Sequence, residues 1–211
     1  MFIFLLLAFP IFIYFLIHLE GTSKSWVDFI TFKEHGLPFV RGMLIYIPAI
    51  IFLSLFRGVF NETYSPFGRY FYHLMEDHFI YLAVLIAGYI LFTHLFNGDD
   101  SFLTYSIFAA GFLTVASIIT VILYYNQFDS YLLFLLPLLR FSMIFISSCL
   151  ITRLINSEGI MKILLFAGLA LVAFALGFVT YLYKNNFIFL SSVLGIVLFI
   201  LTFFIMVRFK E

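Results

Sequence analysis

IMKILLFAGLALVAFALGFVTYLY, from Ile160 to Tyr183, decides the fold class. It carries one charge, Lys162, and at about 1.5 Å per helical residue it reaches about 36 Å, enough to cross a hydrocarbon core of about 30 Å. Inside lipid the backbone has no water to bond, so such a run closes its hydrogen bonds on itself as a helix. Six further runs repeat the pattern: Phe2 to Leu19, Phe39 to Phe56, Phe79 to Phe96, Phe102 to Tyr125, Tyr131 to Leu154 and Phe187 to Val207. The sequence therefore predicts an all-α, polytopic integral membrane protein of about seven transmembrane helices, forming one domain over residues 1–211.

Composition agrees. Of 211 residues 64% are hydrophobic and 10% charged, whereas a soluble domain needs about a quarter of its residues charged. Lipid must replace water around most of this chain. Lysine plus arginine and aspartate plus glutamate each number 11, so no net positive charge exists to attract nucleic acid. The single Cys149 has no partner for an internal disulfide. The 32 phenylalanines read as ordinary lipid-facing apolar residues.

The run Phe2 to Leu19 reads as a retained helix and not a signal peptide. No basic residue precedes it and no small-x-small site follows it. Within the polar stretch after it, Trp26, Phe29, Ile30 and Lys33 share a helical face, which predicts one interfacial helix ended by Gly36 and Pro38. The second span is short: Arg41 and Arg57 bracket about 15 apolar residues, and Pro48 interrupts them. The segment from Arg57 to His78 reads as the longest remaining polar connection. The other connections are short, so successive helices pack as antiparallel neighbours. No internal repeat is legible, and seven spans divide poorly into inverted halves.

Four features can carry function. Arg140 falls about nine residues into its span, roughly 13 Å deep. An arginine there is costly and must find acceptors: carbonyls loosened by Pro137, the hydroxyls of Ser142 and Ser147, or a lipid phosphate. The stretch after Arg69 holds His73, Glu76, Asp77 and His78. In a helix His73, Glu76 and Asp77 share a face, the chemistry of a divalent-metal site or a proton relay. His78, five residues from His73, points elsewhere. A plainer account makes Glu76 and Asp77 the acidic first turn of the third span. His18, His35 and His94 read as interfacial residues. Gly168, Ala173 and Gly177 let a neighbouring helix approach closely, whether within the chain or between chains.

No P-loop, serine elbow or H-E-x-x-H pair occurs, and no acid falls deep in any expected span. The reading is a non-enzymatic membrane subunit of a larger transport or envelope assembly, with lipids and other membrane subunits as partners, no nucleic acid and no cofactor. The alternatives are a small permease or lipid-handling protein with a polar cavity around Arg140, and an intramembrane enzyme using His73, Glu76, Asp77 and His78. Arg69 joins Arg140, Glu76 and Asp77 as a lipid- or partner-binding candidate.

Basic residues set an orientation. Lys24, Lys33, Arg41, Arg153, Lys162, Arg208 and Lys210 fall on one side, and Arg57, Arg69 and Lys184 on the other. This predicts a bacterial plasma-membrane protein with its N-terminus outside and its C-terminus in the cytoplasm. Single cysteines at Ser65 and Glu211, probed in intact cells with an impermeant thiol reagent, check it. Labelling is expected at position 65 only, and the reverse pattern inverts the topology.

Overall fold

The structure, a computed structural model, describes residues 36–60, 65–96, 102–123 and 135–210. The expected first span and the interfacial helix lie outside the described residues. Helices account for all the secondary structure described: α1 Leu37–Val59, α2 Pro66–Leu74, a π-helical turn at Met75–Phe79, α3 Ile80–Phe96, α4 Phe102–Leu123, α5 Leu136–Ile155, α6 Gly159–Lys184 and α7 Ile188–Lys210. α2, the π turn and α3 follow one another without a break. Six helices among the described residues are long and apolar enough to cross a membrane.

Two expectations about the first half need correction. α1 is a 23-residue helix, so the apolar stretch between Arg41 and Arg57 is only its middle. Neither arginine ends it, because each has a partner on the next span. The Arg41 guanidinium lies 4.4 Å from the centre of the Phe92 ring. Arg57 Nε donates to Glu76 Oε1 at 2.7 Å. Pro38 sits in the first turn, where its missing N–H is no loss, and the helix continues through Pro48.

The next span begins thirteen residues before Phe79, at Pro66, and the polar segment ahead of Phe79 is largely helical. Ser65 starts it: its Oγ accepts the Gly68 N–H at 3.0 Å, and Pro66 supplies a preset first helical position. This places Glu76 and Asp77 well inside a helix. They are neither its first turn nor a loop, so acids do occur within a span.

Apolar helices gain little from meeting one another in lipid, so close backbone approach and polar contacts hold them. Successive spans run antiparallel, which makes α1 and α4 parallel. They cross at two glycines in a reciprocal contact. A Cβ on Gly42 would collide with the Phe108 carbonyl, and one on Gly111 with the Phe39 carbonyl. Each glycine therefore lies on the carbonyl of the phenylalanine three residues before the other. Beside this crossing, Tyr46 packs edge-on against Phe112 at 5.2 Å and stacks on Tyr81 at 5.9 Å. Further along, Tyr89 meets Tyr105 edge-on at 4.8 Å. α4 is central, with 72% of its apolar window buried, whereas α7 is peripheral at 17%.

The small residues of α6 serve contacts inside the chain. A Cβ on Gly177 would stand 2.8 Å from Leu74 Cδ1 and 3.1 Å from Leu74 Cα, so this glycine lets α2 lie directly on α6. Ala173 is fully buried one turn earlier. Gly168 is less constrained, since its Cβ would make an ordinary 3.5 Å contact with Leu150. At the far end of α6, Asn186 adopts a positive φ of 67°. The Phe187 N–H reaches the Leu182 carbonyl and the Asn186 N–H the Tyr183 carbonyl, both at 3.0 Å. This Schellman cap ends α6 at Lys184 and turns the chain into α7.

Gly177→Leu is expected to destabilise the purified protein by about 2 kcal/mol, because Leu74 cannot retreat without moving its helix. Gly58→Ala meets open space and is expected to be neutral or to stabilise by up to about 1 kcal/mol. Thermal unfolding midpoints in one detergent measure both, and equal midpoints overturn the assignment.

A candidate functional site: the charge cluster at one end of the bundle

α1 and α6 end beside the junction of α2 and the π turn, so Arg57, the segment from Arg69 to His78, and Lys184 come together at one end. The π turn arranges them. Its widened ring, closed by the Ile80 N–H on the Met75 carbonyl, replaces the usual four-residue repeat with five. Residues five apart then share a face, which corrects the expectation that His73 and His78 diverge. Both point at α6, and they meet two residues one turn apart on it. His78 Nε2 lies 2.7 Å from Thr180 Oγ1, and Lys184 Nζ lies 3.2 Å from His73 Nδ1.

The carboxylates divide between the neighbouring helices. Glu76 turns to α1, where it pairs with Arg57 at 2.7 Å. Asp77 turns to α6, where its Oδ2 lies 3.4 Å from Lys184 Nζ and 3.9 Å from His73 Nδ1. With the ammonium donating to Nδ1, a neutral His73 carries its proton on Nε2. Glu76 is only 9% exposed, and His73 and His78 are buried more deeply still. Aromatic rings seal the flanks. Tyr72 lies 5.4 Å from Phe56 on the α1 side, and Tyr70 donates to the Phe174 carbonyl at 3.0 Å on the α6 side.

Donor atoms of His73, Glu76 and Asp77 lie within 4.8 Å of one another, a set able to converge on a divalent ion. His78 stands outside that set, against Thr180. Both carboxylates already face a cation, so an ion entering here would have to displace Lys184 from Asp77 and weaken the Arg57 pair. Arg69, one helical turn before His73, keeps a buried Nε without a hydrogen bond among the described residues.

Arg140 finds oxygen acceptors, though not those expected. Its Nη1 donates to Ser117 Oγ at 2.6 Å and its Nη2 to Thr120 Oγ1 at 2.9 Å, both on α4. Thr120 directs its own hydroxyl proton to the Ala116 carbonyl at 2.7 Å, which leaves its lone pairs for the guanidinium. Ser142 and Ser147 instead bond carbonyls of their own helix. Pro137 lies in the first turn of α5, and Arg140 follows in the second turn. Arg140 thus fastens α5 to α4 at the same end as the charge cluster. Sequence reading missed Lys184, Thr180, Ser117 and Thr120. The only available signal was that each stands in the terminal turns of a span.

No family model, curated protein or solved structure matches the chain.

Arg57→Met leaves the Glu76 carboxylate without its cation and is expected to cost on the order of 2 kcal/mol, less than a fully buried pair because Arg57 is 41% exposed. Arg57→Met combined with Glu76→Leu is expected to recover most of that loss. A double variant no more stable than Arg57→Met in chemical denaturation would show that the pair does not carry the interaction.

Proposed function

We propose that the chain is a non-enzymatic, membrane-embedded subunit of a larger transport or envelope assembly, oriented with its charge cluster at the outer face of a bacterial plasma membrane. The observation that carries this reading is the mutual pairing within the cluster. Arg57 meets Glu76, and Lys184 meets Asp77 and His73. His78 meets Thr180, and Arg140 meets Ser117 and Thr120. Groups paired this way tie α1 and α6 to the span of α2 and the π turn, and α5 to α4. What the protein offers outward is apolar surface on α1, α6 and α7, where Leu55, Ile163 and Phe189 are among the most exposed side chains. The basic residues at the opposite end, Arg41, Arg153, Lys162 and Arg208, support the orientation.

A second reading, a small carrier, draws on a separate observation. π turns recur at functional sites, and here one holds Asp77, whose buried Oδ2 makes no hydrogen bond among the described residues. Such a carrier would work through Asp77, or through a polar cavity around Arg140.

Purification of the full chain from its native membrane in mild detergent, followed by mass spectrometry, separates the two. A stoichiometric membrane-protein partner is expected. A chain recovered alone, which moves a solute across proteoliposomes and stops when Asp77 becomes Asn, would overturn the subunit reading and establish the carrier.

A further inference from the structure

A guanidinium carries a fixed charge, and that of Arg140 lies in the second turn of α5. No carboxylate among the described residues pairs with it, since Glu76 and Asp77 face Arg57 and Lys184 instead. What meets Arg140 is two neutral hydroxyls, Ser117 Oγ at 2.6 Å from Nη1 and Thr120 Oγ1 at 2.9 Å from Nη2. They orient the group and bring no negative charge to it. They also engage one proton on each Nη. Nε and one further proton on each Nη remain without a hydrogen bond among the described residues. Nε with its neighbouring Nη makes one side of the planar fork, the geometry that receives two oxygens of a single oxyanion. The Nε of Arg69 is buried without a partner, whereas no nitrogen of Arg140 is sealed off in that way.

The height of the fork selects the oxyanion. α5 has 20 residues, about 30 Å, which matches the hydrocarbon core and puts Leu136 near its edge. Arg140 is four residues, about 6 Å, further in. Helical side chains lean toward the N-terminus, which on α5 carries the guanidinium back to that edge. Its two hydroxyl partners agree, for Ser117 and Thr120 stand in the last two turns of α4. The fork therefore reaches the phosphate layer, as long cationic side chains at span ends do. The same turn is open to lipid. α4 is buried along most of its apolar window, but here Ile118, Ile119 and Thr120 are half-buried and Ile122 is 67% exposed. An apolar rim thus borders a fixed cation at phosphate height. We propose that Arg140, held by Ser117 and Thr120, seats the phosphate group of a phospholipid. The site stands apart from the subunit reading above.

The full chain, released into a native mass spectrometer from mixed micelles of phosphatidylglycerol and galactosyl diacylglycerol in equal amounts and with the same acyl chains, tests the proposal. Wild type is expected to favour the phospholipid at least about fivefold, the effect of one basic residue at a membrane surface. Arg140→Gln keeps a polar amide for Ser117 and Thr120 without the charge, and is expected to cut that preference about fivefold. Arg140→Lys keeps the charge without the fork and is expected to recover only part of it. Equal retention of the two lipids by wild type, or an unchanged ratio in Arg140→Gln, overturns the proposal. Asp129, outside the described residues, is the acid between α4 and α5 in the sequence. Asp129→Asn is expected to leave the ratio unchanged, and a severalfold rise would make Asp129 the counter-charge in place of phosphate. Excess inorganic phosphate is likewise expected to change nothing; displacement of the lipid by phosphate retained on the chain would overturn the lipid in favour of the free ion. A photoreactive phenylalanine analogue in place of the exposed Ile122 gives a readout with Arg140 intact. Irradiated in native membranes, it is expected to capture a phospholipid, and a polypeptide captured there instead would end the proposal.

Discussion

A leucine gains little by leaving lipid for another leucine, so the separation at which two backbones meet decides how firmly membrane helices hold. Among the described glycines the tightest approach lies between α1 and α4. Gly42 and Gly111 bring each helix onto the other's carbonyl, close enough for Cα–H groups to face oxygen. The aromatic layer of Tyr46, Tyr81 and Phe112 forms beside this crossing, and Tyr89, Tyr105 and Phe108 pack further along. A second close approach, Leu74 over Gly177, does the same for α2 and α6. Between them, these contacts hold the span that carries the charge cluster from both sides.

Polar contacts then set what the close contacts leave open. The ion pair from Arg57 to Glu76 and the two contacts of α6 with His73 and His78 fix the height of each helix against its neighbour. The pair from Arg140 to Ser117 and Thr120 fixes α5 against α4 in the same way. All of these lie at one end of the bundle. At the other end the fastening is softer: Arg41 on the face of Phe92, and a hydrogen bond from Ser106 to Ser148 at 2.9 Å.

Hydropathy located most of the helices, because a span must be apolar whatever its neighbours are. The helices found at 102–123, 136–155, 159–184 and 188–210 all fall close to runs legible from composition alone. The same rule misplaced the start of the α2–α3 span. Arg69, His73, Glu76 and Asp77 look too polar for a membrane helix until Arg57 and Lys184 are known to face them. The π turn was illegible for a different reason: nothing in Met75-Glu76-Asp77-His78-Phe79 as a string distinguishes five residues per ring from four. Gly177 could be singled out because Ala173 repeats it one turn away, whereas Gly42 and Gly111 have no small residue four positions away. At the candidate site the acids and histidines were legible as a group. Their partners were not, since Lys184 is more than a hundred residues away and only the fold brings it back.

The two carboxylates differ in how long they wait for a counter-charge. Arg57 precedes Glu76 by 19 residues, so that pair can close as soon as the first two described spans lie side by side. Asp77 must wait for Lys184, 107 residues later in the chain. At a synthesis rate of about 5–20 residues per second, this is an interval of about 5–20 s. Throughout it the half-made protein holds Asp77 without the lysine that meets it in the folded chain. The arrival of α6 therefore does more than add a helix to the bundle. It closes an interval of biogenesis in which the Asp77 carboxylate stands without its folded-state cation, open to other cationic groups such as a lipid amine.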